Sequence, residues 1–157
     1  MFRPMRRRER EMTREECEEV LASTKRGVLS LLGDEGYPYG VPLDFVYWQG
    51  KLYFHCAQQG HKLDAIASYD KASFVTMDDG VLEEGSWWYH VRSVISFGCI
   101  RVVDPSEEAW LPALRALGSK YFPPEKSVDA SIARSGSRVN VLELTIEHMS
   151  GKNVQEK

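Results

Sequence analysis

Residues 38–62 constrain this chain more than any other stretch. An alternating strand runs through Trp48, the Gln49-Gly50 pair turns it, and a second strand carries Leu52 and Phe54. Two strands joined by so short a turn must lie antiparallel, so the sheet begins as a hairpin. The second strand runs on through His55, Cys56 and Ala57 to Gly60, after which His61 and Lys62 stand where a helix should start. Free backbone N–H groups already make that end of a helix electropositive, so cations are disfavoured there. Two of them directly after a glycine point to an anion on the turn, and a phosphate-bearing ligand is the natural one. The competing explanation is a solvated surface turn.

The rest of the chain extends the pattern. Thr13 and Glu16 have the spacing of a capping box, and Cys17, Val20, Leu21 and Thr24 recur at helical intervals, predicting a helix that ends near Lys25-Arg26-Gly27. Residues 28–32 read as a buried strand and 33–36 as a turn. Residues 37–48 read as a long strand interrupted at Pro42, an edge or bulge with backbone groups left free. The helix opened by Gly60 is expected to bury Leu63, Ile66 and Ala67. Residues 72–77 form a further strand, followed by an exposed loop. Residues 87–103 form one long strand, or a pair broken at Gly98. Asp104-Pro105-Ser106 is expected to cap a helix running to about Lys120, with Glu107 and Glu108 in its first turn. Residues 121–124 read as a loop, 127–134 as a short helix and 138–148 as a closing strand. A single domain over 1–157 is expected, with a basic arm at 1–12 and a frayed tail at 153–157. Many short-looped strands and few helices favour a small antiparallel barrel, its openings covered by helices, over a βαβ architecture.

Composition removes several functions. The net charge of -3 argues against nucleic acid as the main partner, and Arg3, Arg6, Arg7, Arg8 and Arg10 are answered by Glu9, Glu11, Glu15 and Glu16, as in a mixed solvated arm. No apolar run approaches the roughly 20 residues of a membrane span. The basic N-terminus has no apolar segment behind it, unlike a secretory signal. Cys17, Cys56 and Cys99 are scattered without metal-ligand spacing, which fits a reducing cytoplasm and no metal site.

Three clusters carry the chemistry. Val41-Pro42-Leu43-Asp44 offers backbone groups to the polar edge of a planar heterocycle. His55 through Lys62 supplies the anion-ready helix start. Arg92-Ser93 sets a guanidinium and a hydroxyl in an apolar strand, on opposite faces if the strand is regular. Each has a plainer alternative. Asp44 caps a turn, His55 is a satisfied core histidine, Arg92 pairs with Asp78 or Glu83, and Trp87, Trp88 and Tyr89 are packing residues. No glycine-rich phosphate loop is present, and Ser93 has no histidine placed to activate it. A ligand-binding barrel with few acid/base groups suits a protein whose ligand carries the chemistry.

The order of these motifs resembles the FMN-binding split-barrel proteins related to pyridoxamine 5′-phosphate oxidase, and more narrowly their nitroimidazole-resistance branch. The likeness rests on Arg7-Arg8-x-Arg10-Glu11-Met12, on Gly40-Val41-Pro42-Leu43 with Phe45, and on Gly50 through His55 to Ala57, Gly60, Lys62 and Leu63. It continues in Arg92-Ser93-Val94-Ile95 with Gly98, and in Ile146-Glu147-x-Met149-Ser150-Gly151-Lys152. The resemblance implies a mainly β fold with helices, an antiparallel split β-barrel of the FMN-binding type. It implies a homodimer with FMN, or FAD, at the subunit interface. Val41, Pro42, Leu43 and Asp44 would lie against the flavin ring, followed by His55, Cys56 and Ala57. Lys62 with Ser93, helped by Arg92 and beside His61, would hold the phosphate, with Trp87 near the flavin and His55 as the catalytic candidate. The implied function is flavin-dependent reduction of a small molecule such as a nitroimidazole. The alternative is a flavin- or heme-binding protein on the same fold without turnover. Val91, where the family often has an aromatic residue, and the doubled Trp87-Trp88 depart from the pattern on the substrate side.

Overall fold

A computed structural model describes residues 1–85, 87–122 and 125–155. The first helix, α1 (Arg14–Ser23), has the expected capping box: Glu16 N–H donates to Thr13 Oγ1, and Thr13 N–H donates to the Glu16 carboxylate. It stops earlier than the cations predict. Thr24 is already extended and turns its hydroxyl back to the Val20 carbonyl at 2.6 Å. Gly27 is therefore no helix terminator. It lies in β1 (Arg26–Leu32), where a β-carbon would overlap the Phe74 ring and the Val75 carbonyl.

The next strands are β2 (Pro38–Asp44), β3 (Val46–Trp48) and β4 (Lys51–Ala57). Pro42 does not interrupt β2. It pairs opposite Val28, and a proline is tolerated because β2 is an edge strand. The break falls at Phe45, whose N–H donates to the Tyr121 hydroxyl at 2.8 Å. Gln49 and Gly50, both at positive φ, make the β3–β4 turn as expected. Helix α2 (His61–Ser68) buries Ala65 and Ile66, while Ala67 is exposed, so its inward face is rotated from the expected one.

Strand β5 (Lys71–Met77) precedes a two-residue strand, β6 (Val81–Leu82), inside what the sequence presents as a loop. Strand β7 (Tyr89–Val103) starts after the tryptophans and is continuous, with a register shift at Phe97/Gly98. Gly98 is required there, since a β-carbon would overlap the Thr145 carbonyl oxygen. Helix α3 (Trp110–Tyr121) begins later than Asp104 predicts. Asp104 instead accepts from Ser106 N–H in a local turn, and Glu107 folds back onto Asp104 N–H and Arg101. Tyr121 belongs to this helix, and Pro123 and Pro124 lie outside the described residues. Helix α4 (Glu125–Ser135) is followed by β8 (Val139–Gln155). The expected frayed tail is corrected: Asn153 pairs with Arg92 and Gln155 with His90, which fixes residues 153–155 in the sheet.

Among the described residues the strands form one antiparallel sheet in the order β2-β1-β5-β7-β8-β4-β3, with β6 on β7. It curls into a split barrel. Phe45, Phe54 and Phe74 fill the interior with Leu29, Leu52 and Leu144, all essentially inaccessible to solvent. Outside, α3 covers Val46, Tyr53 and Val141 in a second cluster. The N-terminal arm is only partly solvated. Arg3, Arg6, Arg7 and Arg8 are exposed, whereas Met12 is buried and its N–H donates to the Gly151 carbonyl at 2.9 Å.

Candidate functional site

Gly60 opens α2 at φ 132°, a backbone conformation that glycine alone adopts without strain. The two cations that follow are treated differently. The His61 ring stacks on Tyr39 at 4.2 Å, and its Nε2 lies 3.5 Å from Asp34. Lys62 is half-buried, and among the described residues no carboxylate lies within ion-pair distance of it. Burial pushes the neighbouring Cys56 thiol up, with the Lys62 charge opposing. An ammonium at a helix start without a countercharge fits an anionic ligand.

The strand residues divide by face. In β2, Pro42 is exposed, whereas Val41 and Leu43 are partly buried and Leu43 packs on the core. Asp44 does not cap a turn but accepts from Arg26 Nε at 2.7 Å. In β4, Cys56 is buried and Ala57 is exposed. His55 is exposed rather than a core histidine, and with Asp44 it borders a cavity of about 330 Å³ beneath α3 and α4.

Arg92 takes the plainer of its two expected roles. Its Nε donates to Asp78 Oδ2 at 3.0 Å, its backbone N–H donates to Asp78 Oδ1 at 3.0 Å, and its guanidinium lies 3.6 Å from Glu19. Glu83, the other carboxylate considered, stands beside His90. Ser93 occupies the opposite face of β7, level with Met77 and Lys152. Trp87 stacks on Trp88 at 4.1 Å but is 76% exposed, so in one chain it is no core residue.

The three clusters do not all meet within one chain. His55 and Asp44 share the cavity. Lys62 starts the helix whose His61 lies on Tyr39, five residues from Asp44, or about 17 Å along the strand. Arg92 and Ser93 sit level with the Arg26–Asp44 end, as the bonds from Thr76 to Arg26 and from Asp78 to Arg92 show.

The cavity wall contributed by α3 and α4 has no counterpart among the sequence candidates. Leu114, Leu117, Tyr121, Val128 and Ile132 line it. The apolar spacing of residues 113, 114 and 117 marks a buried helix face, but nothing local says which side of the sheet it covers. Among the described residues no cluster of metal-ligating side chains occurs, and no helix is long and apolar enough to cross a membrane.

A family model described as pyridoxamine 5′-phosphate oxidase matches residues 13–153. Among solved structures, the chain is similar to a proposed 5-nitroimidazole antibiotic resistance protein from Bacteroides thetaiotaomicron, with TM-score 0.74 and 18% identity over 94% of this chain and 90% of that one. It is similar to an FAD-binding protein from Mesorhizobium loti, with TM-score 0.69 and 19% identity over 92% and 97%. It is also similar to an FAD and heme binding protein from Mycobacterium smegmatis, with TM-score 0.74 and 23% identity over 94% and 74%. At these identities the likeness establishes the split-barrel fold. No curated protein matches the chain.

Proposed function

The chain belongs to the pyridoxamine 5′-phosphate oxidase family, and on that footing we propose that it is an FMN-binding oxidoreductase that reduces a small molecule such as a nitroimidazole. The observation that carries the proposal is Lys62, a half-buried cation at the start of a glycine-opened helix with no carboxylate partner among the described residues. It is the point charge a flavin phosphate needs. Gly60 and His61 are exposed, which leaves room beyond the phosphate for the adenylate of FAD. Bound flavin would supply the electron-carrying ring.

The chain's own residues bind and orient. The edge strand Val41-Pro42-Leu43-Asp44 offers its free backbone groups to the ring's polar rim. Cys56 and Ala57 continue that wall towards Lys62. His55, exposed beside Asp44, holds or delivers a proton at its ring nitrogen.

A homodimer would complete the site. Arg92 and Ser93 stand far along the sheet from Lys62, and Trp87 precedes β7, so a phosphate shared by Lys62 and Ser93 would lie between Lys62 of one copy and Ser93 of another. Met77, Ile95 and Phe97 are 60%, 40% and 37% exposed on adjacent strands, an apolar surface suited to a second copy. The three cysteines are free, which suits a cytoplasmic setting.

A second function, flavin or heme binding without turnover, draws on the sparse acid/base equipment of the cavity, where His55 and Asp44 are the ionisable groups apart from Tyr121. Mass spectrometry of the small molecule that copurifies separates the ligands. FMN or FAD supports the proposal, and heme contradicts it. Reduction of a nitro-compound by the flavin-loaded protein with NAD(P)H then separates enzyme from carrier.

A further inference from the structure

The cavity beneath α3 and α4 has a chemistry of its own. Its volume, about 330 Å³, lies within the range of small-molecule sites. Leu114, Leu117, Val128, Ile132 and Val139 make most of its wall. Two helices close its roof, packed tightly where a β-carbon on Gly118 would press on the Val128 methyls. Its floor is the outer face of β4 at His55.

Charge decides what fits inside. Among the described residues that line it, Asp44 carries the one full charge, and Arg26 already answers that charge from outside the cavity. Lys120, whose ammonium feels Asp44, is turned instead to the Leu21 carbonyl at 3.2 Å and the Phe45 ring at 3.9 Å. A phosphorylated molecule entering here would lose its hydration and meet a carboxylate, and among the described residues that line the cavity no lysine or arginine answers its charge. An uncharged ring compound would gain contact with five aliphatic side chains while keeping one polar group on His55.

We propose that this cavity is the acceptor-substrate site, that it takes uncharged, largely apolar ring compounds, and that it excludes phosphorylated ones, including the pyridoxamine phosphate of the family's name. The proposal rests on the flavin-dependent function above, because His55 joins the cavity to the strand leading to Lys62. It adds a selectivity that family membership does not imply.

Methyl NMR of the purified protein tests it, with indole as the uncharged probe and pyridoxamine 5′-phosphate as the charged one. Indole is expected to shift the methyls of Leu114, Leu117, Val128 and Ile132, and pyridoxamine 5′-phosphate to leave them in place and not to displace indole. Ser131→Phe, which fills the cavity from α4, should weaken indole binding by about tenfold or more. Ser135→Phe serves as a second filling variant. Shifts of these methyls by the phosphorylated probe, or undiminished indole binding in a folded filling variant, would overturn the proposal. Should neither variant fold, the wild-type methyl shifts decide alone. Flavin content read on the same samples keeps the two ideas apart. Indole binding without any flavin tells against the flavin function, and flavin retention without indole binding tells against the cavity assignment.

Discussion

Arg92 grips Asp78 by two separate groups, its backbone N–H on Oδ1 and its Nε–H on Oδ2, each at 3.0 Å. The same carboxylate also accepts from Gly80 N–H at 3.2 Å, so it anchors the loop between β5 and β6 to the start of β7. Burial alone would raise the Asp78 pKa, but these hydrogen bonds outweigh it and hold the group below its ordinary value. The guanidinium is therefore committed to structure before any ligand arrives.

The commitment is measurable as coupling. Arg92→Ala and Asp78→Asn should each cost about 1–2 kcal/mol in urea denaturation, and the double variant should cost clearly less than their sum. Strict additivity would mean that the pair contributes nothing as a pair.

Lys62 has no carboxylate partner among the described residues. Lys62→Ala should weaken FMN by roughly tenfold to a hundredfold, the loss of one charged phosphate contact worth about 1.5–3 kcal/mol, while leaving riboflavin nearly unaffected. Titration of the apoprotein with each flavin checks this. Equal losses for both would place Lys62 away from the phosphate.

Gly98 tests the barrel. Its missing β-carbon leaves space for the Thr145 carbonyl oxygen at the register shift in β7. Gly98→Ala should cost about 3 kcal/mol or more, since backbone rather than a flexible side chain must move. A thermal denaturation midpoint close to wild type would contradict the close approach.

Local signals were legible in the sequence. The Thr13–Glu16 box and the Gln49-Gly50 turn each follow from residues a few positions apart. What was not legible depends on distant partners. Pro42 marks β2 as an edge, as expected, but the real break at Phe45 is held by Tyr121, 76 residues away. Residues 153–155 are ordered by β7, which their own polar sequence does not disclose. The candidate site divides the same way. Lys62 and His55 stand out by residue type and position, whereas the cavity wall depends on which sheet face α3 and α4 cover.

Lys120 gives the stability a distinctive pH dependence. Burial lowers its pKa to about 8 from 10.5, with Asp44 opposing. Below pH 8 both folded and unfolded chains carry its proton, and the folded state bears the penalty in full. Between pH 8 and 10.5 the unfolded chain holds more protons than the folded one, so this group makes stability rise with pH. Denaturant midpoints across that window should rise more in wild type than in Lys120→Met. Parallel profiles would show that Lys120 is not held in this way.

We propose a flavin held between two copies of the chain, with Lys62 on one side and the Ser93 end of β7 on the other. Sedimentation velocity of the flavin-loaded protein at micromolar concentration, followed in the flavin's visible absorption band, checks this arrangement. The colour is expected to move as a dimer, and conditions which dissociate the dimer are expected to release the flavin. Flavin sedimenting with a monomer, still bound at that concentration, would contradict it.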